Sequence, residues 1–214
     1  MGLFKRKKTG AEAPPPVEEP DYLIEMISLR INDGMASYAE VADEIVEMAE
    51  DDEEDPKRLL AELAARWDAR VSDQRAWSGT SDSDRLDAAF ADLESIGFAA
   101  RMNFSCCGSC APGEIVADVA DDPSRRAYAY FHMQDADGIS EGSVCLGYGS
   151  LRRHVDEAGE WDEAAYGEAA VAIGHEIVST MTAHGLVTDW DGTLGRRIVV
   201  QLPDWRRRID ARST

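Results

Sequence analysis

Long apolar runs are absent from this 214-residue chain. None approaches the roughly 18–20 residues that a membrane-spanning helix needs. The opening Met1-Gly2-Leu3-Phe4-Lys5-Arg6-Lys7-Lys8 is basic but has no apolar segment behind it, so it does not read as a secretory signal. The cytoplasm is the expected compartment. Positive charge is short as well: 22 Lys and Arg against 42 Asp and Glu leave a formal net charge of −20 at pH 7. A field of that sign repels phosphates and anionic lipid, so neither nucleic-acid binding nor stable membrane association is expected. The partner it would attract is a basic protein. Cysteine is sparse, with Cys106, Cys107, Cys110 and Cys145 the only four. They make no disulfide framework for a chain of this size, and three within five positions point instead to metal or redox chemistry.

What is present suffices for a core, since 44% of the residues are apolar. Residues 1–20 read as a disordered basic and proline-rich tail, with Lys5, Arg6, Lys7 and Lys8 ahead of Pro14-Pro15-Pro16. Its four cations and Phe4 give a membrane surface only weak, reversible attraction. A helical region is expected over 21–96. Tyr38, Val41, Ile45 and Met48 form one apolar stripe at helical spacing. Leu59, Leu60, Leu63, Trp67 and Val71 form another behind Pro56, a residue suited to a helix's first turn. The acidic run 50–55 between them lacks the alternating ligands and turn glycine of an EF-hand loop. A further helix starts near residues 81–83, carries Leu86, Ala89, Phe90 and Leu93, and stops at Gly97.

Beyond Gly97 the pattern turns from helical to alternating. Strands are expected at 98–104, 127–133 and 143–148, and helices at 112–119 and 162–184. A closing hairpin joins 186–190 and 196–202 around the Asp191-Gly192 turn. The expected fold class is therefore α+β: an N-terminal helical region, then an α+β core over 97–214 in the order β-α-β-β-α-β. That is the order of a ferredoxin-like split βαβ antiparallel sheet.

Three stretches stand out together. They are Arg101-Met102-Asn103-Phe104-Ser105-Cys106-Cys107-Gly108-Ser109-Cys110 with Glu114-Ile115, then Tyr130-Phe131-His132-Met133-Gln134-Asp135, then Trp190-Asp191-Gly192 with Arg197-Ile198. On these, the chain resembles an uncharacterised actinobacterial family described only as a domain of unknown function, over about residues 21–208. The resemblance implies a bacterial cytoplasmic protein and brings no activity, cofactor or site residue with it.

In a split βαβ sheet the first and second strands run parallel with the third between them. One sheet edge then gathers Cys106, Cys107 and Cys110 after strand one, His132 after strand two and Cys145 at the start of strand three. Alternation puts His132 and Cys145 on one face, opposite Val144 and Leu146. Strands about 4.8 Å apart bring the three segments within about 10 Å. Three thiolates and an imidazole suit tetrahedral zinc. The candidate metal ligands are thus Cys106, Cys107, Cys110, His132 and Cys145, and zinc is the candidate cofactor. Cysteines that simply pack are the plain structural alternative. Cys107-Gly108-Ser109-Cys110 also suits a thiol-redox protein, because a helix N-terminus lowers a thiol pKa. A third class uses the acidic surface for interaction, as an immunity-type protein does, without catalysis. A sheet face left uncovered by the helical region would serve a homodimer. No catalytic residue is assigned.

Other motifs fall away. Gly174-His175-Glu176 has Ser179 where His-Glu-x-x-His needs its second histidine. Gly147-Tyr148-Gly149 lacks the setting of a phosphate loop. His184 reads as a charge partner at a helix C-terminus, Asp135 and Asp137 as turn residues, and Trp205-Arg206-Arg207-Arg208 as a docked terminal helix facing the acidic body.

Overall fold

The computed structural model describes residues 21–212, so the tail expected over 1–20 lies outside the described residues. Seven α-helices occur among them: α1 (Tyr22–Asp33), α2 (Tyr38–Asp51), α3 (Pro56–Asp73), α4 (Asp82–Ser95), α5 (Ala111–Asp118), α6 (Met133–Ala136) and α7 (Glu163–Ala183). Five strands accompany them: β1 (Phe98–Arg101), β2 (Ala127–Tyr130), β3 (Ser143–Ser150), β4 (Val187–Asp189) and β5 (Ile198–Gln201).

The helices begin where a side chain can satisfy their free N–H groups. Ser37 and Ser81 open α2 and α4 with reciprocal capping boxes to Glu40 and Asp84. Asp21, Asp55 and Asp162 accept from first-turn amides of α1, α3 and α7. Helices α1 to α3 bury Ile27, Ile45, Leu63 and Trp67 against one another, and Ile209 from the C-terminal segment closes that core. A second core lies between the sheet and helices α4 and α7, with Phe90, Phe98, Phe131, Leu146, Ile177 and Met181 inside it. A smaller third cluster packs Ala111 and Ile115 of α5 on Ala99 and Tyr130 of the other sheet face. The chain is thus α+β, as its element order implies.

The strand order corrects the expected topology. The sheet runs β1-β2-β3-β5-β4, and β1 pairs directly and in parallel with β2. All other neighbours are antiparallel. The third strand therefore lies outside the first two and not between them, so the ferredoxin-like split is absent from this sheet. Element order alone does not decide whether a β-α-β crossover skips a strand position, and here α5 returns the chain to the adjacent one.

The C-terminal arginines also differ from a docked helix. Residues 205–212 form neither helix nor strand, and each arginine takes a separate acceptor. Arg206 pairs with Asp204 at 2.7 Å, Arg207 with Asp87 at 2.7 Å and Arg212 with Asp68 at 2.6 Å. Arg208 donates to the carbonyls of Gln74 and Trp77. His184 meets Asp92 at 2.7 Å, the helix-end pairing its position suggests.

A buried charge cluster joins the helical layer to the turn before β3. Arg30 reaches Glu44 at 3.0 Å and Asp137 at 3.3 Å, with Asp33 at 3.7 Å. Burial pushes the Asp33 carboxyl up to about 6, against the Met35 N–H and Arg30, which pull it down. A carboxyl raised from 3.8 destabilises the fold once ionised, so its contribution is lost as pH rises through about 4 to 6. Asp33→Asn keeps an acceptor for Met35 and removes the charge. It is expected to gain about 1–2 kcal/mol at pH 7.5 and nothing at pH 4. Urea unfolding of both proteins at the two pH values checks this, and an unchanged difference across pH would refute it.

Candidate functional site

The cysteine segment grows out of the end of β1 and is pinned to β2 by its backbone. Phe131 N–H donates to the Arg101 carbonyl, Phe104 N–H to the Phe131 carbonyl at 2.9 Å, and Met133 N–H to the Ser105 carbonyl at 3.2 Å. Between these ties the chain turns sharply. Asn103 and Ser105 adopt left-handed backbone, with φ of 50° and 67°, a conformation that costs about 1 kcal/mol or more for a residue with a side chain. Asn103 Oδ1 and Ser105 Oγ are also buried without a hydrogen-bond partner among the described residues.

The turn delivers the cysteines to the start of α5. Ala111 N–H donates to the Cys107 carbonyl and Glu114 N–H to the Cys110 carbonyl, both at 3.1 Å. The ligand atoms of Cys106, Cys107 and Cys110 all lie within 4.8 Å of one another. Cys106 and Cys107 sulfurs are 3.7 Å apart, and Ser109 Oγ is 3.1 Å from Cys107 Sγ. All three thiols are free, Cys106 and Cys110 exposed and Cys107 half-buried. The Ser109 hydroxyl draws the Cys107 thiol down to about 6, helped by the N–H groups of Cys110 and Ser109 and by the Cys110 thiol. Cys110, hydrogen-bonded to Cys107 and close to Cys106, is pushed up to about 11.

His132 lies beneath this loop. It caps α6, with Nδ1 accepting the Asp135 N–H at 3.2 Å while Asp135 Oδ2 accepts the His132 N–H at 3.1 Å. Its Nε2 is 3.1 Å from the same carboxylate. Burial lowers the imidazole pKa, Asp135 raises it and Arg197 lowers it further. Gly108 passes directly over the ring: a Cβ there would stand 3.2 Å from Nε2. Arg197 grips Asp135 through both oxygens, at 2.8 and 2.6 Å, and also donates to the Cys145 carbonyl at 2.7 Å. Cys145 is half-buried on β3 opposite Val199. Carrying the Tyr130 to Gly147 register on by two residues sets it across from His132.

A family model described as "Domain of unknown function (DUF6891)" matches residues 17–209. The chain belongs to the DUF6891 family. No curated protein and no solved structure matches it. Within this DUF6891 domain, Cys106, Cys107 and Cys110 come together as a group, while His132 and Cys145 stand outside that group. Three contributors to the DUF6891 site escape a reading of the sequence: Ser109 beside Cys107, Asp135 under His132, and Arg197 behind Asp135. The spacing His132-x-x-Asp135 was the available signal, since it has the form of a capping box with histidine in place of serine.

Proposed function

We propose that this DUF6891 domain binds a soft divalent metal ion, zinc first, through the thiolates of Cys106, Cys107 and Cys110. The observation behind it is three sulfur ligand atoms within 4.8 Å of one another. Metal–sulfur bonds of about 2.3 Å make a tetrahedral edge of about 3.8 Å, and the Cys106 and Cys107 sulfurs already stand at 3.7 Å. The Ser109 hydroxyl and the backbone N–H groups of Cys110 and Ser109 favour the thiolate charge that the ion needs.

The fourth position distinguishes the remaining candidates. His132 holds both ring nitrogens against Asp135, so it must release one contact before it can ligate. Solvent or an added ligand there costs less and leaves an open site. His132 then supports the loop from below, and Cys145 is the spare thiol on that side of the sheet. Elemental analysis of untagged, reductively purified protein, reconstituted with zinc and desalted, is expected to give about one ion per chain. Cys107→Ser and Cys110→Ser should lose it, Cys145→Ser should keep it, and His132→Ala should bind roughly 10- to 100-fold more weakly. Four titratable thiols with no retained metal would end the proposal.

A thiol-redox role draws on the same geometry, because Cys107 and Cys110 are close and reachable by solvent. Oxidised glutathione would exchange with them, closing one protein disulfide and releasing two reduced glutathiones. Zinc protects these thiols in the first reading, so resistance of the loaded chain to such oxidation separates the two.

A further inference from the structure

A cleft of about 180 Å³ opens between the cysteine loop and the β4–β5 hairpin, lined in part by Gly108, Tyr128, Tyr130, Gly147, Arg196 and Arg197. By liquid volume it holds on the order of half a dozen waters. None of its lining residues is acidic, in a chain that has 42 Asp and Glu. Its wall carries two guanidinium groups. Arg197 is braced from behind by Asp135, with 41% of its side chain still exposed. Arg196 meets Asp189 at 2.7 Å in an exposed pair, 46% and 60% accessible, of the kind that exchanges readily for another anion.

Tyr130 supplies an independent observation. The residue is only 5% exposed, and what it leaves open is the hydroxyl, which meets solvent where the ring lines the cleft and is not among the sealed polar atoms. Its ring lies across β3 because Gly147 has no side chain; a Cβ there would stand 2.6 Å from the ring. Burial keeps the phenol protonated, Arg197 opposing and the charges of Asp135 and Cys107 adding to it. Gly108, the residue after Cys107, lines the same cleft. A phenol hydroxyl open to the cleft, beside two guanidinium groups and with the cysteine loop at Gly108 on the same wall, is an arrangement for a ligand.

We propose that this cleft is an anion subsite of the cysteine loop, taking a small carboxylate-bearing molecule. Arg196 and the Tyr130 hydroxyl hold the carboxylate, and the other end of the molecule meets the sulfur centre at Cys107. The subsite adjoins the centre proposed above for zinc but needs no metal to form.

Iodoacetate and iodoacetamide test it, since they have nearly the same shape and differ by one charge. In both reactions the Cys107 thiolate forms a carbon–sulfur bond, the carbon–iodine bond breaks and iodide leaves. On an acidic protein without an anion site, the neutral reagent is the faster one. Modification of Cys107 is followed by peptide mapping on the reduced, metal-stripped full chain at low ionic strength. Iodoacetate is expected to react at least threefold faster, with sodium acetate slowing it and leaving iodoacetamide unaffected. Arg196→Gln and Tyr130→Phe should bring the rate ratio below one while far-UV circular dichroism stays native. Faster iodoacetamide in the unaltered chain, or a ratio unmoved in both folded variants, would overturn the subsite. Zinc content is measured on separate aliquots, so a chain that binds zinc without anion preference loses only this inference, and the converse result loses only the metal.

Discussion

Trp67→Ala is expected to cost about 3–5 kcal/mol of stability, the range for truncating a fully buried large aromatic. Trp67 is 1% exposed at the centre of the α1–α3 core, with Tyr38 edge-on at 5.4 Å. The indole also does something no aliphatic residue could. Its Nε1 donates to the Asp210 carbonyl at 2.8 Å, beside a two-way clasp in which Gln74 donates to the Ile209 carbonyl and accepts the Ile209 N–H. The C-terminal segment is thus tied to α3 by its backbone, and Ile209 seals the core from outside. Loss of the indole opens a cavity and strands a carbonyl at once. Trp67→Phe keeps an aromatic ring against Tyr38 and loses the donor with part of the indole's volume, for an intermediate cost of about 2–3 kcal/mol. Urea unfolding gives both values, and tryptic cleavage after Arg207 and Arg208 should accelerate in the alanine variant. An alanine variant within 1 kcal/mol of the parent would show that the C-terminal segment holds its place without the indole.

The fold was legible in the sequence wherever a local rule decides it. The stripes at Tyr38–Val41–Ile45 and Leu59–Leu63–Trp67 became α2 and α3, and Ser81 capped α4 as its side chain suggests. Helix α6 and the 3-10 turn after it (Asp137–Glu141) were not legible, because four- and five-residue turns are too short to carry a stripe. Nor was the place of β3, since pairing depends on contacts far apart in sequence. The candidate site divides the same way. Cys106, Cys107 and Cys110 are close because their spacing makes them close. Of the left-handed turns that aim them, Asn103 suits that backbone while Ser105 leaves no mark in the sequence. Gly147 and Gly149 were visible but their purpose was not: they lie on one face of β3 so that the rings of Tyr130 and Tyr128 can cross it.

Asp135→Ala is expected to lose about 2–3 kcal/mol and to weaken zinc binding by 10- to 100-fold without removing a proposed ligand. The Asp135 carboxylate has three tasks: it caps α6 at the His132 N–H, stands 3.1 Å from His132 Nε2, and takes both arms of Arg197. The Asp135 N–H that meets Nδ1 is backbone and stays in either variant. Breaking a buried pair often costs 3–5 kcal/mol. The lower figure applies because the Arg197 side chain is 41% exposed, so the freed guanidinium can turn to water. Asp135→Asn keeps an acceptor for the His132 N–H and should cost about 1 kcal/mol less. The effect on metal follows from position. Gly108 rests over His132 Nε2, so an imidazole that loses the carboxylate beside Nε2 supports the loop that carries Cys107 and Cys110 less firmly. Thermal melting and competition against a zinc chelator, run on Asp135→Ala and Asp135→Asn together, separate the contributions. If the alanine variant melts early yet holds zinc within twofold of the parent, the His132–Asp135–Arg197 chain stabilises the sheet edge and has no part in presenting the thiolates.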